Sequence, residues 1–190
     1  MAEGPLAELG REHDVEFVWL PFELRPEPEP LPDTTPAALE QSRARWEHGA
    51  GLLAREYGVE MQWTPIKPRS RWAHEAAEFA RDQGQFDAMR TALFQAYWVA
   101  GRDIGAQDVL AEVAQSVGLD GAVLREALND GRYTSRVGEL EGLSGQIGVA
   151  AVPTMIFADT VAVQGAQPYK VLRQAYEAAE QRVASEAGND

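Results

Sequence analysis

The sequence of 190 residues contains no cysteine. That absence removes disulfides, a thiolate nucleophile and every cysteine-ligated metal site from this chain. Histidine is scarce too: His13, His48 and His74 are the three. None stands at the spacing of a metal-binding pair, so no metal site is expected, and all three read as surface or internally satisfied residues. No run reaches the roughly 18 apolar residues of a membrane helix, and the opening segment MAEGPLAELGREHDVE has no signal-type apolar core. A cytoplasmic address without a membrane partner is therefore expected. Basic residues are few, 17 Lys and Arg against 30 Asp and Glu, for a formal charge of −13. Nucleic acids select clustered cations and are excluded as expected partners. The one short basic cluster is Lys67-Pro68-Arg69-Ser70-Arg71. Ser70 and Ser144 have no base near them in sequence, so neither is assigned as a nucleophile.

What is present is a regular alternation of apolar stripes and breakers. Leu6 and Leu9 share one face of a short helical tail over 5–12. Val15–Leu20 alternates apolar and other residues up to Pro21 and reads as a strand. The Pro-rich run Pro26–Pro32 reads as a stiff polyproline II connection. A Thr cap and Pro36 open a helix expected to reach Tyr57, with Gly58 as its stop and Gly49 and Gly51 as weak points. Residues 59–68 read as extended. Helical stripes follow at Ala73–Ala80, Phe86–Tyr97, Val109–Val117 and Val123–Leu128, and a last helix precedes Gly148. A strand from Thr154, a turn at Asp159-Thr160, a strand from Val161 to Gln164 and a helix over 167–185 close the chain. The order is β, helical insertion, β, β, α, an α/β architecture. The expected division is a core of 1–64 with 146–190 and an all-helical insertion at 65–145.

Four segments carry a resemblance. They are Val18-Trp19-Leu20-Pro21-Phe22-Glu23-Leu24-Arg25-Pro26; Ser70-Arg71-Trp72-Ala73-His74-Glu75-Ala76; Ala92-Leu93-Phe94-Gln95-Ala96-Tyr97-Trp98 with Gly101-Arg102-Asp103-Ile104-Gly105; and Val152-Pro153-Thr154 with Gly165-Ala166-Gln167-Pro168. In this order they resemble the FrnE-like branch of the DsbA family, which also includes 2-hydroxychromene-2-carboxylate isomerases and kappa-class glutathione transferases. The resemblance implies a thioredoxin-like fold, dithiol–disulfide oxidoreductase or isomerase activity, and protein thiols, disulfides or peptides as substrates. It also implies a first strand followed by Cys-Pro-x-Cys at a helix N-terminus, where the helix dipole stabilises a thiolate. Neither is present: aligned on the second strand, both would precede Met1. Three arrangements answer that gap. Met1 is an internal Met of a longer protein; or the second strand closes directly on the strand after Pro153; or a partner chain, a second copy included, supplies the missing strand.

As printed, the chain is expected to be redox-inactive, with no catalytic residue. The resemblance makes Pro153 a cis-proline whose neighbours Val152 and Thr154 face substrate. A trans Pro opening a strand is the alternative reading of the residues alone. Gln167 reads as a turn and cap residue, with a substrate contact as the alternative. Trp98, with Trp72, Phe94 and Tyr97, reads as helical core or as the wall of a substrate groove. No cofactor is implied for dithiol chemistry. Glutathione is the ligand if the chain is instead an isomerase or transferase of the superfamily. A peptide-binding, chaperone-like domain is the non-enzymatic alternative.

Overall fold

The computed structural model describes residues 1–187. The chain divides into two compact units, residues 1–20 with 145–190 and residues 21–144. Each is built around its own apolar contacts.

The first unit opens with α1 (Glu3–Glu12), whose buried Leu6 and Leu9 form the expected stripe. Near the other end of the chain are β1 (Thr154–Phe157), β2 (Val161–Gln164) and α9 (Tyr169–Ala187). Helix α9 buries Leu172, Ala175 and Ala179 and packs against α1 and both strands. The strands pair antiparallel, with Thr154 opposite Gln164 and Phe157 opposite Val161. In β2 the valines 161 and 163 are half-buried while Ala162 and Gln164 are exposed, the alternation of a strand with one covered face.

The turn between the strands places Ala158 at φ 45° and Asp159 at φ 56°. Two successive left-handed residues suit a tight hairpin, but an alanine Cβ crowds the following carbonyl there. Ala158→Gly is expected to raise the unfolding free energy by about 0.5–1 kcal/mol, the Cβ relief exceeding the glycine entropy cost. A melting-temperature shift downward would contradict the reading.

Val15–Leu20, expected as a strand, is not one: the segment has no ladder partner, and the sheet consists of β1 and β2 alone among the described residues. Alternation marks a chain that can be half-buried in a sheet, but a strand exists only when a neighbour takes its hydrogen bonds. Phe17, Val18 and Leu20 accordingly remain solvent-accessible, Val18 by 77%.

The second unit contains α2 (Pro36–His48), α3 (Ala50–Glu56), α4 (Arg71–Arg81), α5 (Phe86–Phe94), α6 (Gln107–Ser116) and α7 (Gly121–Asn129). Most of α8 (Thr134–Gln146) belongs to it, the division falling in that helix's last turn. Its core joins Ala76, Phe79 and Ala80 of α4 to Met89, Leu110, Val113, Leu124 and Tyr133. The alanine face of α4 lets neighbouring helices approach closely. Gly121 does the same for α7, where an added Cβ would lie 2.6 Å from the Ala111 carbonyl oxygen. Asp120 caps α7 by accepting the Ala122 and Val123 amides.

Two expectations for this unit are corrected. The helix expected from Thr34 to Tyr57 is two helices, because Gly49 adopts φ −121°, ψ −105° and interrupts the ladder. The Pro-rich run is not uniformly extended. It contains a turn closed by the Glu29 amide on the Pro26 carbonyl, 2.9 Å, with Glu27–Pro28 cis. The helix over Phe86–Tyr97 is present, but its end widens into a π-helical turn, Gln95–Val99.

Candidate functional site

The start of β1 is organised by a residue that cannot donate. Pro153 has no amide hydrogen, and its carbonyl accepts the Gly165 amide at 2.8 Å. Gly165 adopts φ +84°, a left-handed turn that brings its N–H round to that carbonyl. The Val152–Pro153 peptide bond is cis. With the Pro153 carbonyl turned toward β2, strand alternation directs the N–H and C=O groups of Thr154 and Ile156 to the opposite edge. No further strand lies on that edge among the described residues.

The side chains of the expected site take definite places. Val152 is 45% exposed just before the strand, and Pro153 is exposed beside it. The Thr154 hydroxyl donates to the Ala151 carbonyl at 2.6 Å and so fastens the turn ahead of β1. The Gln167 amide donates to the Gln164 carbonyl at 3.0 Å, tying the end of β2 to the approach to α9. Trp98 belongs to the other unit. It sits on the π-turn with its ring edge-on to Tyr97, 4.7 Å between centroids, and its carbonyl accepts the Gln62 amide. Trp72 and Phe94 are 40% and 53% exposed, so these aromatics are not all core.

Beside the hairpin lies an open cavity of about 350 Å³, walled by Ile147, Val149, Thr154, Ile156 and Val161 among others. Asp159 is the only charged residue of that wall. The edge and the cavity share Thr154 and Ile156. A polypeptide lying along β1 would therefore meet free backbone groups and a recess of mixed polar and apolar lining together.

The second unit holds a cluster of ionisable groups that the sequence reading did not assemble. Arg71 on α4 places one guanidinium nitrogen 2.7 Å from Glu23 Oε1 and 2.8 Å from Glu141 Oε2. The Glu23 amide donates to Glu141 Oε1 at 3.1 Å. Burial pushes the Glu23 carboxyl above its ordinary range, against the pull of Arg71, and the second carboxylate adds to the rise. His74, one turn along α4, is held down to about 4 by burial first and by Arg71 second, its hydrogen bond to the Phe22 backbone opposing both. Its Nε2 is sealed from water without a partner, which corrects the expectation of a surface or satisfied histidine. His13 Nε2 is likewise buried and unpartnered, its ring 4.3 Å from that of Tyr176. His48 fits the expectation, bonding the Ala44 carbonyl through Nδ1 at 2.8 Å. The resembling segments around Phe22-Glu23 and Arg71-His74 are thus in contact. The signal available in sequence was that both segments belong to one family resemblance, with no spacing to link Glu23 to Arg71.

Among the described residues no group of three or more His, Asp or Glu is placed to hold a metal, and no helix is long and apolar enough to cross a membrane.

Comparison with known proteins places this geometry. The DSBA-like thioredoxin domain matches residues 2–177. The chain is 33% identical over 165 residues to the uncharacterized protein YwbO of Bacillus subtilis strain 168, covering 85% of this chain and 81% of that one. Its fold is similar to that of a probable DsbA oxidoreductase from Streptomyces coelicolor, with a TM-score of 0.76, 24% identity, and 94% of this chain and 81% of that chain covered. It is also similar in fold to a 2-hydroxychromene-2-carboxylate isomerase, with a TM-score of 0.71, 18% identity, and 99% and 91% covered. The mixed α/β chain, mostly helical with a small two-stranded antiparallel sheet among the described residues, belongs to the DsbA-like thioredoxin domain family.

Proposed function

We propose that this chain is a member of the FrnE-like branch of the family that engages extended polypeptides bearing thiols or disulfides but carries out no dithiol exchange itself. One observation carries the reading: the 190 residues include no cysteine, so no thiolate is available to attack a disulfide sulfur. The open edge of β1 supports the binding half. Val152 and Pro153 are exposed at its start, and Thr154 and Ile156 turn backbone groups outward along it. A peptide in extended form satisfies such groups with its own amides and carbonyls. Thr154 and Gln167 act in this reading as positioning residues, holding the turns on either side of Pro153.

The expected result in an insulin-reduction assay with dithiothreitol is a rate equal to that of a cysteine-free control protein. Turnover above that control would overturn the redox half. The binding half is tested by titrating the chain with insulin B chain whose thiols are kept free by a phosphine reductant and following backbone amide signals. Saturable changes at Val152, Thr154 and Ile156 are expected, and binding without them would place the peptide elsewhere.

The likeness of fold to the isomerase favours a second reading, a glutathione-dependent isomerase in which the ligand supplies the thiol. Calorimetric titration with glutathione separates the two. Saturable heat favours the isomerase, and none favours the polypeptide-binding reading.

A further inference from the structure

The hairpin of the first unit has one covered face and one open face. Val161 and Val163 of β2 are half-buried on the side where α9 packs, while Ala162 and Gln164 are exposed on the other. The strand register carries that division across the pair. Thr154 stands opposite Gln164 and Ile156 opposite Ala162, so these four residues share the open face. All four line the recess of about 350 Å³, which therefore lies on the face that α9 leaves uncovered. Ile147 and Val149, from the segment ahead of Pro153, add apolar wall.

The two ends of the recess differ chemically. At the Pro153 end the Thr154 hydroxyl is committed to the Ala151 carbonyl at 2.6 Å. At the hairpin end stands Asp159, the only charged residue of the lining. Its backbone is fixed at φ 56° in the tight turn. Arg182 of α9 reaches the same turn, but its guanidinium donates to the Thr160 carbonyl at 2.6 Å and makes no ion pair with Asp159. Among the described residues the Asp159 carboxylate has no hydrogen-bond donor either, so its acceptor sites remain open. Between the two ends the face is bordered by Ile156 and Ala162.

We propose that the recess, resting on the reading that polypeptides add along β1, is a specificity pocket for one basic side chain of the added polypeptide, with Asp159 as its counter-ion. A strand added to β1 lies about 4.8 Å away, and alternate side chains emerge on the face of Thr154 and Ile156. A short side chain stops above β1. A long one crosses that spacing and enters the recess. Lysine and arginine combine this length with the matching charge: the aliphatic stem lies on Ile156 and the head reaches the carboxylate. A long apolar side chain fills the same stretch but leaves the carboxylate without a partner, and an acidic one is repelled. The formal charge of −13 draws basic segments toward the protein before any of these contacts form.

The test uses the full chain and end-blocked peptides Thr-Cys-Thr-Xaa-Thr-Val-Thr, with the thiol kept free by a phosphine reductant. Xaa is arginine, norleucine or glutamate, and the backbone amide signals of Thr154, Ile156 and residue 159 are followed. The arginine peptide is expected to bind about fivefold more tightly than the norleucine peptide, and the glutamate peptide most weakly. Asp159→Asn is expected to abolish the difference between arginine and norleucine. Asparagine tolerates the left-handed turn, so the hairpin is kept. Glu16→Gln removes an exposed carboxylate of the same unit outside the recess and is expected to preserve the difference. Shifts at Thr154 and Ile156 with equal affinity for arginine and norleucine overturn the basic pocket and leave polypeptide addition along β1 standing. Absence of any saturable shift overturns both. An arginine preference that persists in Asp159→Asn, or falls equally in Glu16→Gln, assigns the attraction to overall charge and overturns the pocket.

Discussion

Arg71→Met is expected to lower the unfolding free energy of this protein by about 3 kcal/mol, toward the lower end of what breaking a buried ion pair costs. The magnitude follows from what the arginine leaves behind. Glu23 has a side chain only 3% exposed and Glu141 one 17% exposed, and a single guanidinium nitrogen reaches both. Without it, two carboxylates face each other across one hydrogen bond from the Glu23 amide, with little water to screen them. Arg71 itself is 32% exposed, so it surrenders less hydration than a buried arginine and the loss falls short of the maximum. Methionine keeps the aliphatic stem, which separates lost charge from lost packing. Urea denaturation at pH 7 measures the effect, read from the midpoint at an unchanged slope. A loss below about 1 kcal/mol would mean the cluster is solvated like an ordinary surface pair. A second signature distinguishes the mechanism. Glu23 already titrates above its ordinary range, and removing its cation raises it further, so the deficit of the variant shrinks as the pH falls and Glu23 takes up a proton.

Why this cluster was invisible in the sequence is instructive beside what was visible. Helices announce themselves locally. The stripe of Leu172, Ala175 and Ala179 and the alanine face of α4 are both readable from spacing, and both are buried. The hairpin is equally local, its strands separated by only Ala158, Asp159 and Thr160. Long-range partners leave no such trace. Glu23 and Glu141 lie 118 residues apart, and neither stands in a pattern that names the other. Val15–Leu20 shows the limit from the opposite side: its alternation is real, but the pairing that would make it a strand depends on a neighbour that spacing cannot supply. The break at Gly49 could be anticipated as a weakness but not as a break, because helix propensity ranks residues without fixing the backbone angles that packing selects. The site was legible in part for the same reason. Thr154 and Gln167 bond carbonyls three residues before them, whereas Arg69 pins a loop 40 to 44 residues earlier in the chain.

His74 gives the second large effect, and it has a definite sign. In the unfolded chain a histidine titrates near 6.5, whereas in the folded protein His74 is held down to about 4. Burial and the neighbouring Arg71 both disfavour its charged form, and the Phe22 backbone hydrogen bond recovers only part of that loss. Between these two values the unfolded state binds the extra proton, so stability rises with pH across this window. The contribution is complete above pH 6.5, declines as the pH falls toward 4, and amounts to about 3 kcal/mol over the interval. Glu23 works in the other direction. Its raised pKa makes the folded state the stronger proton binder above the ordinary carboxylate value, which offsets part of the loss in the wild type. Asp33 and Asp82, both lowered by hydrogen bonds, lose their stabilisation at the acid end as they protonate. These carboxylates are common to wild type and variant. The clean measurement is therefore a difference: unfolding free energy against pH for the wild type and for His74→Gln. The two curves are expected to run parallel above pH 6.5 and to converge by about 3 kcal/mol as the pH falls to 4, because only the wild type must strip a proton from this ring to fold. Parallel curves throughout would show that the ring accepts its proton in the folded state, with water reaching Nε2 through a path the packed helix does not show.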